Sequence, residues 1–440
     1  MSDQQHSVSQ LKTQLKQLKI EKGRLSRTIG GLKKDNQPID SVLEEMKVLS
    51  EKKNFLDCEL KKLIKTELAP QQSPSSIAFP SHIRENASSS NEKTHDKLYS
   101  IRKISNDDSD SWNEFVNKHP ASSIYHQFDF KGIIEKSFNQ EACYFAAFDK
   151  DESIVGILPI IHTKSHLFGS YMTSIPYFNY GGPLTVNRFV ERQLVEHVDH
   201  YARQTGVSYV ELRESSVRKG MPSKTDKVSL FLTLPESSEQ LWVGVGTKVR
   251  AQIKKGLKNN FQFKVGRHEL LDDFYRVFSI NMRDLGTPVY SKLFFKNILS
   301  SQLDTMIAVQ YHQGSATSCA FLMAYKNCLE IPWASTLGSA NKLNSNMVLY
   351  WNILKYACDK SYDFFDFGRS TIDAPTFKFK CQWGASPAQL HWHYMLPGDQ
   401  QVLPSLNPNN PKLKLLIWCW KKLPIVIANT IGPILARSLP

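Results

Sequence analysis

Three cations lie among aromatic residues in the stretch DFGRSTIDAPTFKFKCQWG, residues 366–384. Arg369 closely follows an apolar run that is typical of a buried strand, and Lys378 and Lys380 alternate with phenylalanines. When an amine attacks an ester or thioester, negative charge develops on the carbonyl oxygen, and a fixed cation in a water-poor setting stabilises it. The stretch therefore indicates acyl-transfer chemistry. The alternative is that these side chains bury only their apolar stems at a domain edge.

Acyl transfer to an amine also needs a group that removes a proton from the nitrogen. The carboxyl group of Asp366 and the imidazole of His126 are the candidate bases, and a base on the substrate itself is the alternative. Lys378 and Trp383 lie within three residues of Lys380 and are candidate substrate contacts.

A second candidate site is the stretch TKVRAQIKKGLKNNFQFKVGR, residues 247–267, which holds seven cations and no acid. Helical spacing places Arg250 and Lys254 on one face. The opposite face is predicted to be buried and consists of Val249, Ile253 and Leu257. Like charges four residues apart repel each other by a few tenths of a kcal/mol unless an anion lies between them. This favours phosphate binding by Arg250 and Lys254, in a small substrate or in RNA; a solvated helix is the alternative.

The stretch SIPYFNYGGPL, residues 174–184, ends in glycines, where the backbone can approach a ligand closely. Tyr180 in this stretch and Trp333 in a later strand are candidate walls of a pocket. An ordinary turn with core aromatic residues is the alternative.

Leucine-rich heptads occupy residues 1–68 and predict a coiled coil. The first seam consists of Val8, Leu11, Leu15, Leu18, Leu25, Ile29 and Leu32, and the second of Ile39, Val42, Met46, Leu49, Leu56, Leu60 and Leu63. Folding between the seams puts them in register as an antiparallel hairpin; a parallel homodimer is the alternative. Either form predicts self-association or partner binding. Residues 69–97 are rich in Ser, Pro and Gln and are predicted to be a flexible linker.

Residues 98–235 and 236–400 repeat one order of elements: hairpin, central strand, helix and strand. In the first part these lie at 142–162, 188–206 and 209–214, and in the second at 306–337, 346–360 and 362–368. This order is typical of acyltransferase domains of the GNAT kind. The predicted fold class is therefore α/β (α+β), with two tandem GNAT-like domains preceded by the coiled-coil hairpin.

Asn344 and Asn346 stand at the predicted start of the second long helix, where asparagine side chains favour capping of free backbone N–H groups. The Arg/Gln-x-x-Gly-x-Gly/Ala loop that binds acyl-CoA in GNAT domains is absent from this position. We therefore expect capping here rather than an ordinary acetyl-CoA loop.

Residues 401–440 form a basic tail, in which residues 411–440 carry five cations, no acid and two tryptophans. Such a stretch can lie on an anionic membrane surface, and packing against the globular domains is the alternative. Lys421, Lys422 and two prolines interrupt it too often for a membrane span.

Composition sets the outer limits of these hypotheses. The 440 residues are 41% hydrophobic and carry a formal charge of +13, which suits globular domains with phosphorylated, nucleic-acid or anionic-lipid partners. The seven cysteines are widely spread without metal-ligand spacing, so we expect reduced thiols, no metal and no bound cofactor. The N-terminus lacks the pattern of a signal peptide. We expect a cytoplasmic protein, peripheral at the inner face of the cytoplasmic membrane if the tail binds lipid.

Several stretches together resemble the FemAB family, specifically FemAB-like GNAT-fold proteins associated with exosortase/PEP-CTERM and exopolysaccharide systems. The resemblance covers about residues 98–440 and is carried by the stretches at 125–138, 156–184, 209–214, 248–259, 285–295, 365–370, 377–384 and 406–424. It implies transfer of an amino acid from aminoacyl-tRNA, or of an acyl group from another donor such as acyl-CoA, to an amine of a phosphate-bearing envelope precursor.

The resemblance also implies roles for single residues. The family's Phe-Lys-Lys-Gly-Phe-Gly pattern corresponds to residues 379–384 and assigns oxyanion stabilisation to Lys380, whereas its second lysine is Cys381 here. Its phosphate-binding segment between the domains corresponds best to Arg250. We therefore expect an N-acyltransferase, with Arg369 assisting through its charge. A non-catalytic scaffold of exopolysaccharide machinery and an RNA-binding protein are the alternatives.

Overall fold

The computed structural model describes residues 99–165, 168–397, 403 and 411–438, together with helical positions between 17 and 49. The chain divides into two compact units, Met1–Ile77 and Ala78–Pro440. The predicted linker at 69–97 lies outside the described residues, as does much of the predicted coiled coil.

The described part of the first unit is helical and follows the predicted heptad seams. The seam residues that are described are all buried or partly buried: Leu18, Leu25, Ile29, Leu32, Val42 and Leu49. The other described residues of this unit, such as Glu21, Glu44 and Val48, are exposed. Whether the helices pair within one chain or between two chains stays a prediction.

The second unit is built from strands and helices that we number in chain order. The described strands are β1 (Ser100–Lys103), β2 (Glu141–Phe148), β3 (Ile154–Ser165), β4 (Gly169–Thr173), β5 (Leu184–Thr185), β6 (Val210–Glu214), β7 (Ser223–Lys224), β8 (Lys227–Thr233), β9 (Gln262–Gly266), β10 (Thr305–His312), β11 (Ser315–Tyr325), β12 (Cys328–Thr336), β13 (Phe364–Thr371), β14 (Ser386–Gln389) and β15 (His391–Met395). The described helices are α1 (Ser109–Lys118), α2 (Asp129–Phe138), α3 (Arg188–Thr205), α4 (Ser238–Gly244), α5 (Thr247–Leu257), α6 (Leu271–Leu285), α7 (Lys292–Leu299), α8 (Ser345–Asp359), α9 (Pro375–Cys381), α10 (Pro411–Trp420) and α11 (Ile425–Ala436).

The strands form two sheets. The first has the order β1-β2-β3-β4-β6-β15-β7, with β5 paired to β3, and the second has the order β14-β8-β13-β12-β11-β10-β9. Most neighbours are antiparallel, but each sheet contains one parallel pair, β4 with β6 and β12 with β13. The predicted hairpins, long helices and following strands are all present, because alternating apolar residues and polar turns define them locally.

The strand pairing crosses the boundary that the sequence predicts between residues 235 and 236. Strand β8 precedes that boundary but pairs with β13 and β14 in the second sheet. Strand β15 follows it but pairs with β6 and β7 in the first sheet. Each sheet is therefore completed by a strand from the other part of the sequence, which ties the two halves together.

Helix α3 illustrates how the sequence sets its own limits. The side chain of Asn187 caps the N-terminus by accepting a hydrogen bond from the backbone N–H of Val190 at 2.9 Å. The helix ends at Gly206, whose φ of 67° lies in the left-handed region that glycine adopts without strain. Its buried side chains recur at helical spacing and are Val190, Leu194, Val195, Val198 and Ala202.

The largest core brings aromatic residues of both sheets and their helices together. Phe178, in the loop after β4, lies 5.7 Å from Trp333 of β12 between ring centroids, and Phe294 of α7 lies 5.7 Å from the same indole. Such aromatic pairs stabilise a fold beyond the apolar area that they bury. This core supports the place where the loop after β4 meets the second sheet.

The C-terminal tail packs against the second unit, which was one of its two predicted alternatives. The side chain of Gln140 donates a hydrogen bond to the carbonyl oxygen of Arg437, and Tyr177 donates to the same oxygen at 3.2 Å. Ala428 and Ala436 are buried on the inner face of α11. Within the part of the chain that the structure describes, no helix has the length and apolarity needed to cross a bilayer.

Candidate functional site

Two carboxylic acids face each other on the parallel strands of the second sheet. Glu330 of β12 and Asp366 of β13 are the last residues paired in this parallel ladder. Their relative exposures are only 6% and 1%. Buried carboxyl groups at adjacent positions interact strongly, so the protonation of one depends on the other.

Asp366 accepts hydrogen bonds from three groups. The Ser229 hydroxyl of β8 and the backbone N–H of Gly368 donate to Oδ1, each at 2.7 Å. The hydroxyl of Tyr180 donates to Oδ2. Tyr180 belongs to the loop after β4 of the first sheet, so this bond joins the two sheets. Three donors favour the ionised form of the carboxyl group.

Glu330 has fewer donors and carries the proton of the pair. The side-chain amide of Asn179 donates to its Oε1 at 3.1 Å. Burial raises the pKa of both carboxyl groups, and the negative charge of Asp366 raises the pKa of Glu330 further. Hydrogen bonds oppose the rise at both carboxyl groups, but Asp366 accepts more of them, so we assign the negative charge to Asp366 and the proton to Glu330.

Lys380 lies beneath this pair and is 8% exposed. Its ammonium group donates to the carbonyl oxygens of Gly368 and Arg369, each at 2.9 Å. Burial lowers the pKa of Lys380 to about 8, although the negative charge of Asp366 opposes this change. We name Asn179, Tyr180, Ser229, Glu330, Asp366 and Lys380 the buried cluster.

The segment that carries Lys380 is helical. Pro375 begins helix α9 at a position where its missing N–H costs nothing. Residues two apart in a helix point in nearly opposite directions. Lys380 therefore turns inward to β13, whereas Lys378 is exposed.

Arg369 extends from β13 over Trp392 of β15, with its guanidinium carbon 5.1 Å from the ring centroid. Arg213 contacts the same ring at 4.4 Å but is held by Glu211 at 2.7 Å. Among the described residues, Arg369 forms no ion pair, and the residue as a whole is exposed. Desolvation by the surrounding protein lowers the pKa of Arg369 to about 10, and the positive charge of Arg213 is the second cause. The guanidinium is therefore charged at neutral pH and open to an anion.

The loop after β4 holds Asn179 and Tyr180 in a strained backbone. Ile175 and Tyr177 have φ values of 51° and 75°, which non-glycine residues adopt rarely. A Cβ on Gly182 would lie 2.4 Å from the side chain of Glu214, so only glycine fits there. Strain of this kind concentrates at functional sites.

Two cavities reach this loop. The first, about 320 Å³ with its open mouth, is lined by Ser122, Ser123, Ile124, Tyr180, Met323, Tyr325, Cys328, Glu330 and Asp366. The second, about 470 Å³ on the same measure, is lined by Ala121, Ser123, His126, Tyr180, Gly182, Pro183, Leu184, Arg213, Glu214, Ser215 and Ser216. Ser123 and Tyr180 line both cavities, so the two cavities adjoin at these residues.

His126 lines the second cavity but is fully engaged. Its Nε2–H donates to the carbonyl oxygen of Gly182 at 2.9 Å, and its Nδ1 accepts from the backbone N–H of Ser123 at 3.1 Å. Burial lowers the pKa of His126 to about 4, so the ring is neutral. This arrangement positions the glycine loop and leaves Asp366 as the candidate base with an open route through Tyr180.

The basic segment lies apart from the buried cluster. Arg250 of α5 donates through Nη1 to the carbonyl oxygens of Trp242, Val243 and Val245, at 3.2, 2.9 and 2.7 Å. These carbonyls end helix α4, so Arg250 caps that helix. Lys254 is exposed, with its ammonium nitrogen 5.9 Å from the Trp242 ring centroid. A phosphate-binding role for both residues stays a prediction.

Four further expectations have different outcomes. Leu257 is 46% exposed, so the prediction that it is buried is wrong. It is the last residue of α5 and does not pack against the core. Asn344 makes no side-chain cap because its φ of 55° turns the backbone left-handed instead.

Trp383 is 2% exposed and packs beside Tyr350 in a core of the second sheet, away from both cavities. Trp333 belongs to the aromatic core under the loop.

Sequence reasoning missed Glu330, Asn179 and Ser229. The available signal was an acidic residue within an apolar strand, as in CLEIPW and FFDFG, because such a residue is costly to bury without partners. In the described part of the chain, no group of His, Cys, Asp and Glu side chains is placed to hold a metal ion.

Comparison with known proteins supports the fold. Residues 246–380 match the family described as the acetyltransferase (GNAT) domain. The crystal structure of FemX is similar at 13% identity and a TM-score of 0.51, over 66% of this chain and 96% of that chain. No curated protein sequence matches this chain significantly.

Two other solved structures are similar at lower scores. One is the C-terminal domain of a putative lysylphosphatidylglycerol synthetase from Agrobacterium fabrum, at 13% identity and a TM-score of 0.45, over 65% of this chain and 92% of that chain. The other is a tandem GNAT protein from the clavulanic acid biosynthesis pathway, at 9% identity and a TM-score of 0.44, over 69% and 100%. The predicted tandem GNAT-like fold is confirmed, and residues 246–380 match the acetyltransferase (GNAT) domain family.

Proposed function

We propose that this protein is an N-acyltransferase that passes an activated acyl or aminoacyl group to an amine of a cell-envelope glycan or peptidoglycan-type precursor. The observation that carries the proposal is the contact of Tyr180 with Asp366 at the wall of the first cavity, with the buried ammonium of Lys380 beneath it. A base, a route for its proton and a cation for the oxyanion are thus close together.

The base acts through the tyrosine. The acceptor amine lies against the Tyr180 hydroxyl, which already donates its proton toward the ionised Asp366. As the amine attacks the acyl carbon, its proton passes to the tyrosine oxygen while the tyrosine proton moves to Asp366. Glu330 stays neutral beside this relay, so the pair carries one negative charge before the proton transfer and none after it.

Lys380 stabilises the oxyanion. A lysine ammonium has three N–H donors, and the carbonyl oxygens of Gly368 and Arg369 take two of them. No described residue accepts the third, which is then available to the carbonyl oxygen of the acyl donor in its tetrahedral state. In a site with little water such a cation is worth several kcal/mol more than in solution.

The atoms balance without any added oxidant or cofactor. A bond forms between the amine nitrogen and the acyl carbon, and the bond from that carbon to the sulfur or oxygen of the donor breaks. The proton held on Asp366 returns through Tyr180 to the departing thiolate or alkoxide. The products are an amide and the free thiol or hydroxyl.

Arg369 binds an anionic group of one of the substrates. Its guanidinium has no carboxylate partner in the described residues and stacks on Trp392, which fixes its orientation. A phosphate or diphosphate of the envelope precursor suits it, because a guanidinium binds phosphate through two parallel hydrogen bonds. An exopolysaccharide precursor belongs to the same chemical class.

The donor is either acyl-CoA or aminoacyl-tRNA. GNAT domains use acyl-CoA, while the resemblance to FemAB proteins and the absence of the usual loop before α8 favour aminoacyl-tRNA. The charge of +13 suits a polyanionic donor of either kind.

The test is a transfer assay with both donors on two lysine variants. Lys380→Met removes the buried ammonium, and Lys378→Met removes an exposed one from the same helix, so the second variant is the matched control. We expect the first variant to lose about 10²-fold or more in transfer rate, as removal of an oxyanion donor does elsewhere. Equal rates in the two variants would refute the role of Lys380. Absence of transfer by the parent protein with either donor favours the scaffold or RNA-binding alternatives.

A further inference from the structure

The two C-terminal helices, α10 and α11, carry an apolar surface that no other described residue covers. Of the fifteen large hydrophobic side chains exposed in the described residues, seven lie in these two helices: Leu415, Leu416, Trp418, Val426, Ile427, Ile431 and Ile434. We name these seven residues the tail face. Exposed apolar side chains so concentrated in one segment mark an interaction surface.

The exposure of the tail face does not result from a detached tail. Helix α11 buries Ala428, Gly432 and Ala436, and a Cβ on Gly432 would lie 3.0 Å from Val289. Small residues thus allow close contact on the inner side. At 100° per residue, Ile427, Ile431 and Ile434 lie on the opposite side of the helix. The helix is docked by one face and presents the other to solvent.

Positive charge accompanies this face. Lys421 and Lys422 are exposed in the turn between the helices, and Arg437 is exposed after the second. No acidic residue occurs anywhere from 401 to 440. An apolar stripe with cations at its ends and no acid is the pattern of a helix that lies in the interface of an anionic membrane.

We propose that the tail face docks on the surface of an anionic lipid bilayer. The bilayer interface offers an apolar region for Trp418 and the isoleucines and negative headgroups for the lysines. A second copy of this chain matches the face less well, because it would bring the same cations together with no acid to offset them. This proposal goes beyond the proposed function, since lipid binding does not depend on acyl transfer.

Docking would bring the membrane to the loop that carries the candidate site. The carbonyl oxygen of Arg437, one residue after α11, accepts a hydrogen bond from Tyr177 at 3.2 Å. Tyr177 precedes Tyr180 by three residues in the strained loop after β4. A docked tail therefore holds one side of the catalytic loop toward the bilayer, where a lipid-linked acceptor would be found.

The experiment is co-sedimentation of the full chain with vesicles of phosphatidylcholine that do or do not contain phosphatidylglycerol. We expect binding only to the vesicles with phosphatidylglycerol, and weaker binding at high salt. Lys421→Gln with Lys422→Gln should weaken binding by about fivefold for each cation removed. Lys355→Gln with Lys360→Gln, which removes two exposed lysines of the α8 region, should leave it unchanged.

The apolar contribution is tested in the same way. Trp418→Ser with Val426→Asn removes two side chains that are 60% and 73% exposed, so folding and transfer activity should not change. We expect vesicle binding to fall by at least about tenfold, since the bilayer would no longer bury two large apolar side chains. Val217→Asn, at a site 69% exposed elsewhere in the unit, is the matched control.

Three outcomes would overturn the proposal. The first is no binding to vesicles with phosphatidylglycerol at low salt. The second is binding that survives both pairs of tail substitutions, which would assign it to another part of the chain. The third is a concentration-dependent dimer that the Trp418→Ser and Val426→Asn pair abolishes while vesicle binding persists, which would make the tail face a contact between two copies.

Discussion

The Tyr180 hydroxyl donates a hydrogen bond to Asp366 across the line where the first sheet meets the second. Tyr180 comes from a loop of one sheet and Asp366 from a strand of the other, so neither half of the sequence contains the pair. Both residues line the first cavity. Chemistry at this point therefore depends on the packing of the two halves.

Removal of the tyrosine hydroxyl should affect transfer far more than stability. Tyr180→Phe keeps the ring in the core but breaks the proton route to Asp366, and we expect the transfer rate to fall about 10²- to 10⁴-fold. Tyr275→Phe is the matched control, because its partly buried hydroxyl also donates one hydrogen bond, to the carbonyl oxygen of Tyr290 at 3.1 Å. Equal rates for the two variants would exclude the relay.

Transfer should also decline as the pH rises through about 8. Lys380 stabilises the oxyanion only as an ammonium, and burial lowers its pKa to about 8 from the ordinary value of 10.5. The charged form therefore predominates below this pH and is lost above it. The measurement is the pH dependence of the rate for the parent and for Lys380→Arg, whose guanidinium stays charged. If the rate declines at the same pH in both proteins, the group that titrates is not Lys380.

The lowered pKa of Lys380 also predicts that loss of its charge raises stability although it lowers transfer. Because the folded protein disfavours the charged form of Lys380, the buried ammonium destabilises the fold at pH 7 relative to a neutral side chain. Lys380→Met should then raise the unfolding temperature at pH 7 while it lowers transfer. An unfolding temperature well below that of the Lys378→Met control would show instead that the ammonium is a structural brace for the Gly368 and Arg369 carbonyls.

Much of the architecture could be predicted from local sequence. Alternating apolar residues and polar turns define the hairpins, and Asn187 with Gly206 marks both ends of α3. The exchange of β8 and β15 between the sheets could not be predicted in this way. It depends on which edges remain free after the hairpins have formed, and that is a property of the whole unit.

The candidate site shows the same division. The residue types around Lys380 predicted a cation that stabilises a carbonyl oxygen, and the structure places the ammonium of Lys380 near Asp366. The partners of Asp366 were invisible, because the register that aligns Glu330 with Asp366 joins strands separated by a whole helix. The cap formed by Arg250 could not be predicted either, because the carbonyls that it contacts carry no mark in the sequence, and phosphate binding by this residue stays a prediction.

The cap formed by Arg250 predicts a stability effect that phosphate binding does not. Arg250→Ala leaves the carbonyl oxygens of Trp242, Val243 and Val245 without their donor, so we expect the free energy of unfolding to fall by about 1 kcal/mol or more. Lys254→Ala, on the exposed side of the same helix, should change it little. The measurement is thermal unfolding without ligand. No difference between the variants would leave phosphate binding as the explanation for Arg250.

The protonated Glu330 predicts a specific dependence of stability on pH. Its pKa is raised well above 4.5 in the folded protein by burial and by the charge of Asp366, so folding takes up a proton once the unfolded carboxyl has ionised. The free energy of unfolding should therefore fall by about 1.4 kcal/mol for each pH unit above 4.5, until the pH reaches the pKa of Glu330 in the folded protein. Glu330→Gln mimics the neutral acid and should remove that slope while transfer is retained, as thermal unfolding from pH 5 to 8 would show. Asp366→Asn, the matched amide at the ionised position, should abolish transfer. A loss of transfer in Glu330→Gln as well would make Glu330 the base.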